Sequence, residues 1–209
     1  MIWWKEWRET RFGFLITLFF VTGLYYSLPA QRMLIESYWL GIFIAFLGMA
    51  TAISLGSGAV ASEIETHTMN FLISKPAART RVLTAKYIVR GVETLLVFVA
   101  PVLCLIDWGD TESWKWARPY LFQKYILLGI MVIVFIYSGA FFFSIVFRKQ
   151  ALCALAGIAL LAGYLAWRGM TVLQTIYRLE RVDRDLFLLV LLSLGAFVGS
   201  LFLFKVKDL

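Results

Sequence analysis

The sequence has few of the residues from which active sites are usually built. It contains one histidine and two cysteines among 209 residues. It also lacks the Walker A glycine loop with its lysine, the G-x-S-x-G nucleophile turn and the H-E-x-x-H pair. His67 has no second imidazole near it in the sequence, so we expect a solvated loop residue there and no metal site. The chain is therefore not expected to be an enzyme, and it carries no ATPase motif of its own.

The two cysteines do not indicate a disulfide. The apolar segments described below place Cys104 and Cys153 near opposite faces of a membrane, too far apart for an S–S bond. We interpret both as small apolar packing residues.

Charged residues are scarce, and apolar residues are abundant. The chain is 16% charged and 61% hydrophobic, and its mean hydropathy is +0.81. These values are typical of an integral membrane protein. The net charge of +7 comes from basic residues scattered among segment ends, so we expect no nucleic-acid partner. Only four prolines and no low-complexity tract are present, which favours a single transmembrane domain over residues 1–209.

The apolar runs predict an all-α membrane protein with six transmembrane helices. Each run is close to the length of about 17 to 20 residues that crosses a bilayer. Before them, residues 1–11 place Trp3, Trp4 and Trp7 at helical spacing among charges, which favours an interfacial helix over a signal peptide. The predicted spans are 12–28, 39–55, 91–106, 125–147, 151–167 and 186–204.

The distribution of basic residues predicts the orientation in the bilayer. The side that holds both termini and the polar stretch 58–90 carries more lysine and arginine than the other side, which places that side in the cytoplasm.

Two predicted spans are rich in small residues. The fifth contains several alanines and glycines, and the sixth contains Gly195 and Gly199 in a G-x-x-x-G motif, which allows close helix packing. Such motifs pack helices within one subunit at least as often as they join two subunits.

The stretch 58–90 is the long polar stretch on the predicted cytoplasmic side. Ser62 followed by Glu63 and Glu65 predicts a helix N-cap with favourable early carboxylates. Pro76 is expected to end that helix and to begin a second one, which runs into the third span. The result is a helix, a turn and a helix; the alternative is a surface hairpin that only connects two spans.

Glu93 is the ionisable residue that the apolar runs place inside a span. Arg90 lies three residues earlier, at the spacing of an ion pair on one helix face. We therefore favour an Arg90–Glu93 pair at the cytoplasmic interface over a carboxylate that serves transport.

The segment E-I-E-T-H-T-M-N-F-L-I-S-K-P-A-A-R-T-R-V-L-T-A-K resembles the signature between the second and third spans of ABC-2 type transporter permeases. His67 stands where the family usually has glycine. The N-terminal segment resembles the family's elbow helix, and the tail F-K-V-K-D-L resembles its common ending. The residues that match the signature are Glu63, Glu65, Thr68, Leu72, Pro76, Arg79 and Lys86.

This resemblance implies a coupling helix that docks on a separate ATPase subunit. It implies no cofactor in this chain, with ATP and Mg²⁺ bound by the partner. It also implies a second permease subunit, in a homodimer or a heterodimer, and a location in the bacterial cytoplasmic membrane with both termini inside. The docking residues expected from the resemblance are Glu63, Glu65, Thr66, Thr68, Phe71, Leu72, Lys75, Pro76 and Arg79, with Arg148 and Lys149 as a second contact.

The function that the resemblance implies is the permease subunit of an exporter. The phenylalanine, leucine, isoleucine and alanine of the spans suit an apolar or amphiphilic substrate, although such residues also face lipid. The alternative is a regulatory or scaffolding six-span membrane protein that binds a soluble partner without transport.

Overall fold

The computed structural model describes residues 2–27, 33–65, 79–105, 119–147, 149–174 and 180–206. These ranges are helical apart from short turns. The helices are α1 (Ile2–Ser27), α2 (Met33–Ser57), α3 (Ala61–Glu65), α4 (Arg79–Leu105), α5 (Pro119–Val146), α6 (Gln150–Gln174) and α7 (Glu180–Val206).

Each predicted span overlaps one of the six long helices, and the all-α membrane fold is confirmed for the described residues. Among the described residues, three segments are long and apolar enough to cross a membrane by length and composition: Leu127–Val146, Gln150–Trp167 and Asp183–Val206. Shorter apolar segments occupy α1 at Thr10–Phe20 and α2 at Ala45–Ser57. The chain is thus a multi-pass membrane protein, and the count of six spans stays a prediction.

The N-terminal region differs from the sequence interpretation. We expected a separate interfacial helix over 1–11 before the first span, but α1 is continuous from Ile2 to Ser27. No proline interrupts the junction, and the rings of Trp7 and Phe14 pack across it with their centroids 5.6 Å apart. The aromatic residues that predicted an interfacial helix therefore form the first turns of the long helix, where Trp3 and Trp4 are exposed.

Helices α2 and α5 approach each other closely at Gly56. A Cβ atom at this position would lie 2.8 Å from Cβ of Ala140 and 2.9 Å from the carbonyl oxygen of Tyr137. Only glycine allows this backbone approach. The buried core forms around this contact, from apolar residues such as Ala52, Ile136 and Phe141.

The other helices are arranged around this pair. Helix α4 packs against α1, α2 and α5, while α6 and α7 both pack against α5. Helix α1 makes its main described contacts with α4 and lies at the edge of the bundle. The outer faces of α1, α6 and α7 expose large apolar side chains, including Phe19, Leu155 and Phe202, as expected for surfaces in contact with lipid.

The two glycines of the G-x-x-x-G motif have different surroundings. A Cβ at Gly199 would lie 3.2 Å from Cε2 of Phe142 on α5, whereas a Cβ at Gly195 would meet nothing within 4 Å. The structure therefore places Gly199 in packing within the chain and Gly195 on an open face.

Cys153 is fully buried, and its thiol donates to the carbonyl oxygen of Lys149 at 3.2 Å. This agrees with its interpretation as a packing residue. The side chain of Cys104 lies outside the described residues.

Candidate functional site

The polar stretch begins with a tight turn between α2 and α3. The backbone N–H of Gly58 donates to the carbonyl of Ser54 at 3.0 Å, and every residue from Gly56 to Ala61 is buried. The hydroxyl of Ser62 donates back to the carbonyl of Gly58 at 2.5 Å. Ser62 therefore lies inside α3 and bonds to the preceding turn, so its prediction as the N-cap residue was wrong.

Glu63 lies against α4, where it forms an ion pair with Lys86. The ammonium Nζ of Lys86 lies 2.5 Å from Oε1 of Glu63. The Lys86 side chain is completely buried and that of Glu63 is 13% exposed. A buried ammonium requires a carboxylate or another acceptor beside it. The resemblance predicts Glu63 as a docking residue, and the structure places its carboxylate beside the buried ammonium of Lys86.

Three ionisable residues follow one face of α4, which we call the polar face: Lys86, Arg90 and Glu93. Their spacing of four and then three residues puts them on the same side of a helix, and all three are buried. Each contacts a different element. Lys86 bonds to α3, as described above, and Arg90 donates to the carbonyl of Leu55 on α2 at 3.4 Å.

Glu93, the third residue of the polar face, contacts α1. Its carboxylate accepts a hydrogen bond from the hydroxyl of Thr10. The predicted Arg90–Glu93 pair is therefore replaced by contacts that point to two neighbouring helices. The i, i+3 spacing was correct for one face, but the nearby helices supply better-placed partners.

Tyrosine hydroxyls join α4 to α5 beside the polar face. The hydroxyl of Tyr137 donates to the carbonyl of Tyr87 at 2.7 Å. The hydroxyls of Tyr87 and Ser138 share a hydrogen bond, also of 2.7 Å. The base of α4 is thus bonded to α1, α2, α3 and α5 through polar groups.

The second predicted docking segment lies beside the first. The backbone N–H of Gln150, the first residue of α6, donates to Oε2 of Glu65 at 3.4 Å. A carboxylate at a helix N-terminus is favoured by the helix dipole. Glu65, Lys149 and Gln150 are all exposed. Two segments that are distant in the sequence therefore form one exposed surface, which we call the docking surface and which consists of Glu65, Lys149 and Gln150.

Several predicted docking residues lie outside the described residues, and their roles stay predictions. They are Thr66, Thr68, Phe71, Leu72, Lys75, Pro76 and Arg148. The backbone of Arg79, where α4 begins, lies within the described residues.

Sequence reasoning did not find Thr10. No local pattern marks this residue, because its partner Glu93 lies 83 positions away in the chain. Burial of Lys86 had a usable signal, since it shares a helix face with Glu93 at a spacing of seven residues.

A family model described as ABC-2 family transporter protein matches residues 28–182. The matched range contains the turn after α2, the whole of α4 and the start of α6. No curated protein matches the chain.

Proposed function

Since the chain belongs to the ABC-2 transporter family, and is thereby a permease component of an ABC transporter, we propose that it is the membrane subunit of an exporter. In this proposal a separate ATPase subunit binds ATP and Mg²⁺ and drives the permease. The substrate is an apolar or amphiphilic molecule, and two permease subunits enclose its path.

The observation that carries this proposal is the contact between Glu65 and Gln150. It joins the segment after α2 to the turn before α6 at 3.4 Å. Both segments lie on the side of the bundle that the basic residues assign to the cytoplasm. A soluble ATPase could therefore contact both of them at once, through the docking surface and the adjacent segment 66–78.

The buried contacts behind the docking surface suit it to transmit force. Short α3 is fixed to α4 by the Glu63–Lys86 ion pair, and α6 starts at the docking surface itself. When ATP closes two ATPase subunits, the docking surfaces would move with them, and the attached helices would shift as rigid bodies between inward-facing and outward-facing states. No catalytic residue is required in this chain.

The proposal is tested by co-purification with the ATPase subunit. Glu65→Lys combined with Lys149→Glu reverses two exposed charges of the docking surface, while the buried ion pair stays intact. We expect at least a tenfold loss of affinity between permease and ATPase. Glu63→Ala is a poorer test because it removes a partner of buried Lys86.

Arg184→Glu is the matched control, since Arg184 is also exposed but lies near the start of α7, at the opposite end from Lys205. Its affinity should stay within about twofold of the unaltered protein. An unchanged affinity in the double variant would refute the docking surface. If the complex forms but its ATPase activity in liposomes responds to no apolar or amphiphilic compound, the scaffolding alternative is favoured.

A further inference from the structure

The polar face of α4 contacts α3 near one end and α1 near the other. Lys86 contacts Glu63 on α3, beside the docking surface. Glu93, seven residues further along, accepts a hydrogen bond from Thr10 on α1. Seven residues of helix correspond to about 10 Å along the axis.

We propose that α4 carries movement of the docking surface to α1, and that Glu63, Lys86, Glu93 and Thr10 are the positioning residues of this path. The proposal rests on the proposed function, because the movement at the docking surface comes from the ATPase subunit.

The first argument is the cost of separating these contacts. Lys86 and Glu93 are both buried. When a buried charged group moves away from its partner, no water molecule is present to take the partner's place. Movement of α3 therefore favours movement of α4 with it, and movement of α4 favours movement of α1. Exposed ion pairs would not impose this, because water replaces the lost partner at little cost.

The second argument is the position of α1 in the bundle. Its main described contacts are with α4, and its outer face exposes Phe12, Ile16 and Phe19. Because α1 lies at the edge of the bundle, it can follow a shift of α4 along α2 and α5 while the α2–α5 contact at Gly56 is kept.

The third argument is the route of the chain. Helix α4 begins at Arg79, directly after segment 66–78, so a displacement of that segment acts on the end of α4. Lys86 lies two turns into the helix. The ion pair with Glu63 thus fixes α4 to the docking surface by a second attachment besides the covalent one.

Thr10→Val tests the path at its far end, because it removes the hydroxyl and keeps the branched shape. The matched control is Thr17→Val on the same helix. In the part of the chain that the structure describes, the Thr17 hydroxyl bonds within α1, to the carbonyl of Gly13 at 2.8 Å. This variant therefore loses the same group without changing a described contact with α4.

The readout is hydrogen–deuterium exchange of the permease–ATPase complex in nanodiscs, compared without nucleotide and after trapping with ATP and vanadate. In the unaltered complex, peptides from α1 and from segment 66–78 should both change their exchange on trapping. In Thr10→Val the change in 66–78 should remain and the change in α1 should fall at least threefold. Thr17→Val should match the unaltered complex.

A charge exchange tests the near end of the path. Lys86→Glu alone should abolish the response of α1, and Glu63→Lys combined with Lys86→Glu should restore at least half of it. If the single variant fails to fold, the double variant still tests the path. A path through this pair requires the α1 response to recover in the double variant.

The outcomes separate the two proposals. If trapping changes neither region in the unaltered complex, or if no complex forms, the proposed function fails. If 66–78 responds and α1 responds equally in Thr10→Val and in the unaltered complex, the function stands and the path through α4 is wrong.

Discussion

At the scale of single residues, Lys86 is the least expected feature of the protein. A lysine side chain is seldom fully buried, because its ammonium loses its hydration. Here it lies 2.5 Å from a carboxylate oxygen of Glu63. The carboxylate offsets part of the lost hydration energy, and the pair joins a short helix of five residues to the long helix α4.

Replacing Lys86 by methionine should destabilise the protein by about 3–5 kcal/mol, because it leaves a largely buried carboxylate without the ammonium opposite it. The free energy of unfolding in mixed micelles with increasing sodium dodecyl sulfate measures the effect. Lys205→Met is the control, since Lys205 is exposed near the end of α7 and should change the value by less than about 0.5 kcal/mol. Equal effects of the two variants would contradict the burial of Lys86.

The double variant Glu63→Leu with Lys86→Met should recover most of that loss, since two apolar side chains of similar volume need no hydration. The same unfolding measurement applies. A double variant that is less stable than Lys86→Met alone would show that Glu63 has a more important role elsewhere.

Tyr137→Phe provides a smaller, neutral case. It removes the hydroxyl that donates to the carbonyl of Tyr87 at 2.7 Å, and it keeps the ring in place. We expect a loss of about 0.5–1.5 kcal/mol in the free energy of unfolding. A larger loss would indicate that the hydroxyl holds α4 against α5 together with other groups.

Residues differ in how well their positions can be predicted from the sequence. The buried role of Cys153 follows from its chemistry. The contact of Glu63 with α4 could not be predicted, because its partner Lys86 lies 23 residues away in the sequence. Thr10 could not be found, since nothing near it in the sequence indicates Glu93.

At the scale of helices, the close approach of α2 and α5 depends on Gly56. A side chain there would meet the backbone of Tyr137 and the Cβ atom of Ala140 at less than 3.0 Å. Because backbone atoms cannot rotate aside, the two helices would have to separate.

Gly56→Ala should therefore cost about 1–3 kcal/mol in the free energy of unfolding. Gly163→Ala on α6 is the matched control, because a Cβ at that glycine meets nothing within 4 Å. The control should be neutral or slightly stabilising, since alanine favours a helix by about 0.5–1 kcal/mol over glycine. The reverse order of stability would refute this packing of α2 on α5.

The helices were predicted better than their ends. Each apolar run falls on a long helix, because about 20 apolar residues have few other stable structures in lipid. The apolar runs were shorter than the helices. An apolar run ends at the first polar residues, whereas the backbone hydrogen bonds of the helix continue beyond them. Helix α4 shows this clearly: it begins at Arg79, while the apolar run begins at residue 91, and the continuity predicted from Pro76 onward agrees with the described part.

At the scale of the whole molecule, the ends of α7 provide a direct test of topology. This helix has 27 residues, about 40 Å in length, which suffices to cross a bilayer. Arg184 and Lys205 are both exposed near its two ends.

In a background where Cys104 is replaced by alanine, Arg184→Cys should react with a membrane-impermeant maleimide in intact cells, and Lys205→Cys only after the membrane is opened. Buried Cys153 should stay unlabelled in both cases. The opposite pattern would invert the predicted orientation, and labelling of both sites in intact cells would show that α7 does not span the membrane.

The long-range contacts also determine how late in synthesis each pair of residues can meet. Thr10 and Glu93 are 83 residues apart, and Gln150 and Glu65 are 85 apart. At about 5–20 residues per second, a ribosome needs about 4–17 seconds to produce the second member of either pair after the first. During that interval α1 has been synthesised but α4, which makes its main described contacts, has not. Helix α1 is therefore the first helix to be translated, and it gains its main described contacts only after α4, the third long helix, has been translated.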